Sequence, residues 1–172
     1  MYWLLYPLRT YLIVSGRLGE EVNIMAADWV TIASSNPFTI AVAIAPIRYT
    51  YKLVKKYNEF VVAVPNLDML GDVSIAGSEH GPEKLKKMRL KLTSASKVKT
   101  PIIENALANL ECKVIGEHPY GDYSLFVGEV VTYHYREDVF RNNEPNLTAG
   151  FLAHLTVGKL KFATFKEEIY TP

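Results

Sequence analysis

Seven runs rich in Val, Ile, Thr, Tyr and Phe, each bounded by Gly, Pro, Asn or Asp, constrain this chain more than any other feature. They are YLIVS (11–15), NIMAADWVTIAS (23–34), FTIAVAIA (38–45), EFVVAVP (59–65), NLECKVIGE (109–117), YSLFVGEVVTYHY (123–135) and LKFATF (160–165). GEHPYGDY, between the fifth and sixth, carries turn residues and predicts a hairpin loop. Helical pattern is confined to the middle of the chain. YTYKLVKKYN puts Tyr49, Leu53, Val54 and Tyr57 on one face, and LDMLGDVSIAG (67–77) and PEKLKKMRL (82–90) are shorter candidates, the last opening on Pro82. Strands surrounding a few short helices predict a mainly β fold, a closed barrel with helical excursions. With no internal repeat, low-complexity tract or linker, residues 1–172 are expected to form one domain.

Several function classes fall away early. The formal net charge of +1 gives no global electrostatic case for nucleic acid or an anionic membrane. The single cysteine, Cys112, excludes an intrachain disulfide and sits in an alternating run, as a buried strand thiol would. MYWLLYPLRTYLIVSG lacks a basic leader, is interrupted by Pro7 and Arg9, and is too short to span a bilayer. It predicts a buried lead-in and a first strand, in a soluble, cytoplasmic protein. No GxGxxG, P-loop, HExxH, CxxC or GxSxG spacing occurs, and the four histidines are scattered, so no metal site and no hydrolytic nucleophile is expected.

One stretch points to an anion. In AIAPIRYTYKLVKKYNEF (43–60) Pro46 helps to end a strand and Thr50 is placed to cap the following helix. A helix N-terminus offers unpaired N–H groups and the positive end of its dipole; Arg48 and the Thr50 hydroxyl would complete a phosphate cradle. The same residues also suit an ordinary capped helix with a solvated arginine. Upstream, Ala26 and Ala27 would let a flat ligand approach closely, beside Asp28 and Trp29. Asp28 must either pair with something or alternate outward to water.

The order G…NIMAADWVT…SSNPFTIAVAIAPIRYTYKLVKKYNEFVVAVP resembles the flavin reductase-like, FMN-binding split-barrel family, in its flavoredoxin branch. HGPEKLKKMRLKLTSASKVKTPIIENALANLECKVI and DYSLFVGEVV resemble two later blocks of that family, so the resemblance spans about Val22 to Phe165. His80, Pro82 and the Glu83-Lys84-Leu85 triplet depart from its pattern, as does Asp28.

The resemblance implies a six-stranded antiparallel split β-barrel holding FMN noncovalently, FAD being the alternative, near a homodimer interface. Ala26, Ala27, Asp28 and Trp29 would run beside the isoalloxazine, and Ser34 and Ser35 would meet its edge or the ribityl chain. Arg48, Tyr49 and Thr50 would hold the phosphate with Lys84 as a second cation, and His154 would lie near the ring. It further implies an enzyme taking hydride from NADH or NADPH to flavin, with electrons passing to a further acceptor and no acid–base residue required. A flavoredoxin-like carrier exchanging electrons with a redox partner protein, or a flavin-binding barrel without nicotinamide access, are the alternatives.

Overall fold

The structure, a computed structural model, describes residues 1–171. Seven strands form the main sheet: β1 (Tyr11–Gly16), β2 (Val22–Ala27), β3 (Val30–Ser35), β4 (Phe38–Ile44), β5 (Glu59–Val64), β6 (Ala108–Tyr120) and β7 (Tyr123–Tyr135). All pairings are antiparallel, in the order β2-β1-β5-β6-β7-β4-β3. The two edge strands, β2 and β3, are therefore consecutive in the chain. Laid flat, seven strands would put those edges about 29 Å apart. The chain from Ala27 to Val30 can span only about 10 Å. The sheet must curl into a barrel, and the barrel is split at Asp28–Trp29. Register shifts at Val127/Gly128 and Val130/Thr132 add bends to the long β6–β7 hairpin.

The mainly β, split-barrel class expected from the sequence is the one observed. The predicted strand 23–34 is two strands, because the Asp28 carbonyl accepts from Val30 N–H and the Trp29 carbonyl from Ala43 N–H, which ends one ladder and begins another. The sheet consequently has seven strands where six were expected. GEHPYGDY is mostly strand, with the turn reduced to Gly121 and Asp122. The run at 160–165 contributes only Phe162–Thr164, to a small outer sheet with Leu8–Arg9 and Leu152–His154.

β1 and β5 read as continuous apolar runs because both of their faces are buried. Ile13, Phe60 and Val62 face the barrel interior with Val42, Cys112 and Phe126. Leu12, Val14, Val61 and Ala63 face outward, under Val73 and Ala76 of helix α2 (Leu70–Ser78). Helix α1 (Tyr49–Tyr57) inserts Leu53, Val54 and Tyr57, as its periodicity predicts. Burial pushes the Cys112 thiol up to about 12, which makes it an inert core residue.

Residues 82–90 do not form the predicted α-helix. Pro82–Lys87 is a 3-10 turn, and the chain beyond it is largely irregular, held from below by side chains. Glu111, fully buried on β6, accepts from the backbone N–H of Ser96 (2.8 Å), Lys97 (2.6 Å) and Val98 (3.0 Å), and lies 2.7 Å from His134 Nε2. Asn109 holds both backbone groups of Ile103. The N-terminus departs from expectation too: Tyr2–Leu5 is an exposed 3-10 turn, and buried chain begins only near Thr10. No helix among the described residues is long and apolar enough to cross a membrane. Among the same residues, no group of three or more His, Cys, Asp or Glu is placed to hold a metal ion.

Candidate functional site

A cleft of about 190 Å³ opens at the split of the barrel. Its floor is built from small residues, Ala26 and Ala27 at the end of β2 and Ala43 and Ala45 at the end of β4, with Gly77 of α2 opposite. A side chain larger than methyl on that floor would keep a planar ligand off the backbone. Aromatic rings form one wall. Trp29 lies between Tyr2, edge-on at 5.3 Å between centroids, and Tyr123 at 4.7 Å.

Asp28 is paired, which settles the choice left open by the sequence. Thr10 Oγ1 donates to its Oδ1 at 2.7 Å, His154 Nδ1 lies 2.7 Å from Oδ2, and the Tyr6 hydroxyl reaches Oδ2 at 3.4 Å. The other ring nitrogen, His154 Nε2, lies 2.7 Å from the Lys159 carbonyl. Both ring nitrogens thus face oxygen atoms, one on the split of the barrel and one on the following hairpin. The ring also stacks on Phe162, at 4.9 Å. His154 thus ties the 154–162 hairpin, whose Val157 lines the cleft, to the split itself. His154→Ala removes two hydrogen bonds and leaves Asp28 with hydroxyl partners alone. It is expected to cost about 2 kcal/mol and to expose the 154–162 hairpin to protease, both measurable on the purified protein by chemical denaturation and limited proteolysis.

Cations gather at the other end of the cleft. Arg48 is the N-cap of α1 and lines the cleft; no side chain caps that helix. Arg48 Nη1 lies 3.1 Å from His80 Nδ1, and since arginine only donates, Nδ1 is the acceptor. Lys84 is almost fully buried and donates to the carbonyls of Ala76 (3.0 Å) and Glu79 (3.1 Å) at the C-terminus of α2. Burial first, and then the nearby Arg48 charge, hold its ammonium down at about 8, with Glu79 opposing. Arg48, at an uncapped helix N-terminus and without an acidic partner, suits a phosphate group, with the buried Lys84 charge near enough for each cation to feel the other.

Of the residues singled out in the sequence, Ala26, Ala27, Asp28, Trp29 and Arg48 line one cleft, with His154 directly behind Asp28, while Lys84 is buried outside the lining at the C-terminus of α2. Thr50 is not the cap. It lies inside the first turn of α1, fully buried, and accepts from Asn23 Nδ2 at 2.7 Å. Tyr49 turns its hydroxyl to Glu21 at 2.7 Å, away from the cleft lining. Glu21 also takes Tyr57 and Lys56, and these bonds, Lys56 first, hold its carboxyl at about 2. Ser34 and Ser35 end β3, about 14 and about 17 Å of strand from Val30, and do not line the cleft. Thr10, Tyr6, Tyr123 and Gly77 carry no site signal of their own in the sequence, and His80 stands out there only as a departure from the family pattern. The aromatic N-terminal run is the one usable signal, and its pattern predicts buried chain instead.

Residues 3–155 match the family described as flavin reductase like domain. An uncharacterised protein of Pyrococcus abyssi is 56% identical over 169 residues, covering 98% of this chain and 96% of that protein. Among solved structures, the FMN-binding protein of Thermus thermophilus, with bound 1-cyclohex-2-enone, superimposes with a TM-score of 0.88 at 28% identity, covering 100% of this chain and 94% of that one. Flavoredoxin of Methanosarcina acetivorans gives 0.85 at 25% identity, covering 97% and 89%. The floor of small residues and the cationic end of the cleft thus occur on a shared fold and within a shared sequence pattern: the chain belongs to the flavin reductase-like family of FMN-binding split barrels.

Proposed function

We propose that this protein holds FMN in the cleft at the split of the barrel and acts as a flavin oxidoreductase, with NADH or NADPH as donor. The observation that carries the reading is the cleft itself, a floor of small residues running from Asp28–Trp29 to Arg48. Bound there, a flavin would supply the hydride and electron chemistry. Ala26 and Ala27 admit the ring, Trp29 and the tyrosines beside it exclude water, and Asp28, fixed by Thr10 and His154, holds one edge of the site rigid. Arg48 and Lys84 neutralise the phosphate, joined by the backbone N–H groups of Tyr49 and Thr50 in the first turn of α1. A carrier role, with electrons delivered by a partner protein, is supported by similarity to a protein named flavoredoxin.

The barrel interior is not filled everywhere. An apolar hollow of about 880 Å³, lined by Tyr11, Val30, Phe38, Ile40 and Leu110, opens beside the exposed Ile32, Tyr133 and Tyr135. A second copy of the chain would cover this hollow, and the neighbouring Ser34 and Ser35 would then face the other copy. Sedimentation is expected to give twice the 19.4 kDa chain mass.

Anaerobic addition of NADH and then NADPH to the flavin-loaded protein tests the enzymatic reading. Rapid bleaching of the visible flavin band is the expected result and identifies the donor. Bound flavin that resists both donors favours the carrier role.

A further inference from the structure

Seven of the nineteen Lys and Arg residues lie between positions 84 and 99, and no Asp or Glu occurs from 84 to 103. The rest of the chain carries twelve cations against eighteen acids, so a nearly neutral protein has one strongly positive strip. Lys84 is buried; Lys86, Lys87, Arg89, Lys91, Lys97 and Lys99 are exposed. Lys86 and Lys87 pair with Glu83 and Glu79. Arg89, Lys91, Lys97 and Lys99 have no ion-pair partner among the described residues.

Acids do lie beneath the strip, but they are engaged with its backbone. Asp72 accepts from Arg89 N–H at 2.8 Å, Glu59 from Lys99 N–H at 2.9 Å, and Glu111 from three consecutive N–H groups including that of Lys97. The carboxylates therefore hold the main chain still and leave the ammonium and guanidinium groups to solvent. A charged surface on a fixed frame loses less conformational freedom on docking than a mobile tail does. The strip also begins near the cleft: Pro82–Lys87 packs on β2 and α2, which supply Ala26, Ala27 and Gly77 to its lining.

We propose that the exposed strip from Lys86 to Lys99 is a docking surface for an acidic protein that exchanges electrons with the cleft. The electron-exchange purpose rests on the flavin reading above; the docking itself does not. Residues 84–103 contain no aromatic side chain, which argues for a protein over single-stranded nucleic acid, whose sites stack bases on aromatic rings. Six exposed cations with the apolar residues between them half-buried or, at Val98, buried suit a small, polar, transient contact, below about 1,200 Å². Such a contact is steered by charge and is sensitive to salt.

The test uses the full chain and, as probe, an oxidised plant-type [2Fe–2S] ferredoxin with an acidic surface; a basic cytochrome c is the control. Binding is followed by NMR shift mapping, which needs no flavin. Expected are shifts centred on 86–99, no response to the cytochrome, and a loss of affinity of about tenfold or more between about 20 and about 200 mM salt. The variant Arg89→Gln/Lys91→Gln/Lys97→Gln/Lys99→Gln retains the backbone N–H groups and should lose about tenfold. Neutralising four exposed lysines elsewhere (Lys52, Lys113, Lys161 and Lys166) should change little. Equal loss in both variants, absence of binding at low salt, or tighter binding of poly(U) than of ferredoxin would overturn the surface. Failure of the unsubstituted protein to bind ferredoxin while it holds FMN overturns the surface alone. Binding by a protein unable to hold FMN overturns the flavin reading and leaves the surface standing.

Discussion

Arg48→Ala is expected to weaken FMN binding on the order of 100-fold while changing riboflavin binding by less than about threefold. The two ligands differ only in the phosphate, so the difference isolates the cationic end of the cleft. A charge-assisted hydrogen bond contributes about 1.5–3 kcal/mol, and each 1.4 kcal/mol or so is a factor of about ten in affinity. Arg48 is placed to act through both its side chain and its position as N-cap of α1. Its loss frees His80 Nδ1 and relieves Lys84 of a neighbouring positive charge. Lys84 cannot compensate fully, because its ammonium is already bonded to Ala76 and Glu79. The FMN loss should shrink as salt screens the remaining cations. Fluorescence titration of both flavins measures the effect; equal weakening of FMN and riboflavin would place the phosphate elsewhere.

Glu111→Ala is expected to cost about 4 kcal/mol of stability and to lower the melting temperature on the order of 10 °C. Three backbone N–H groups and His134 share this one fully buried carboxylate, and alanine returns none of their bonds. Desolvation alone would raise the Glu111 carboxyl above its ordinary value. The bonds from Ser96, His134, Lys97 and Val98 together outweigh it, so the folded value lies below the ordinary 4.5. A carboxyl depressed by folding stabilises the protein fully above the unfolded value and progressively less as pH falls through the folded one. The gap between wild type and variant, measured by urea denaturation, should therefore be widest near neutrality and narrow in acid, below about pH 4.5. A pH-independent gap would mean that shape, not charge, is what Glu111 supplies.

Strand identity was legible where local pattern decides it. β1 and β5, apolar on both faces, and α1, with its one apolar face, stand where the sequence places them. Ala26 to Trp29 were marked by small residues next to an out-of-place acid, and Arg48 by its place at a helix start. Long-range partners left no local trace. Asp28 meets His154 from 126 residues away, and Glu111 supports a segment whose own residues suggested a helix at its start. The break at Asp28–Trp29 was hidden for the same reason, since only closure of the barrel forces it. Thr50 shows the limit of a local rule: a threonine near a helix start suits a cap, but packing drew this one into the core toward Asn23.

The central claim is that the cleft at the barrel's split holds FMN, and titrating FMN into flavin-free protein while following flavin fluorescence tests it most directly. Quenching that saturates at one flavin per chain, as Trp29 and its neighbouring tyrosines would produce, is the predicted result. Fluorescence that stays that of free flavin throughout the titration would contradict it, and would return Arg48 and Lys84 to the role of helix-end charges.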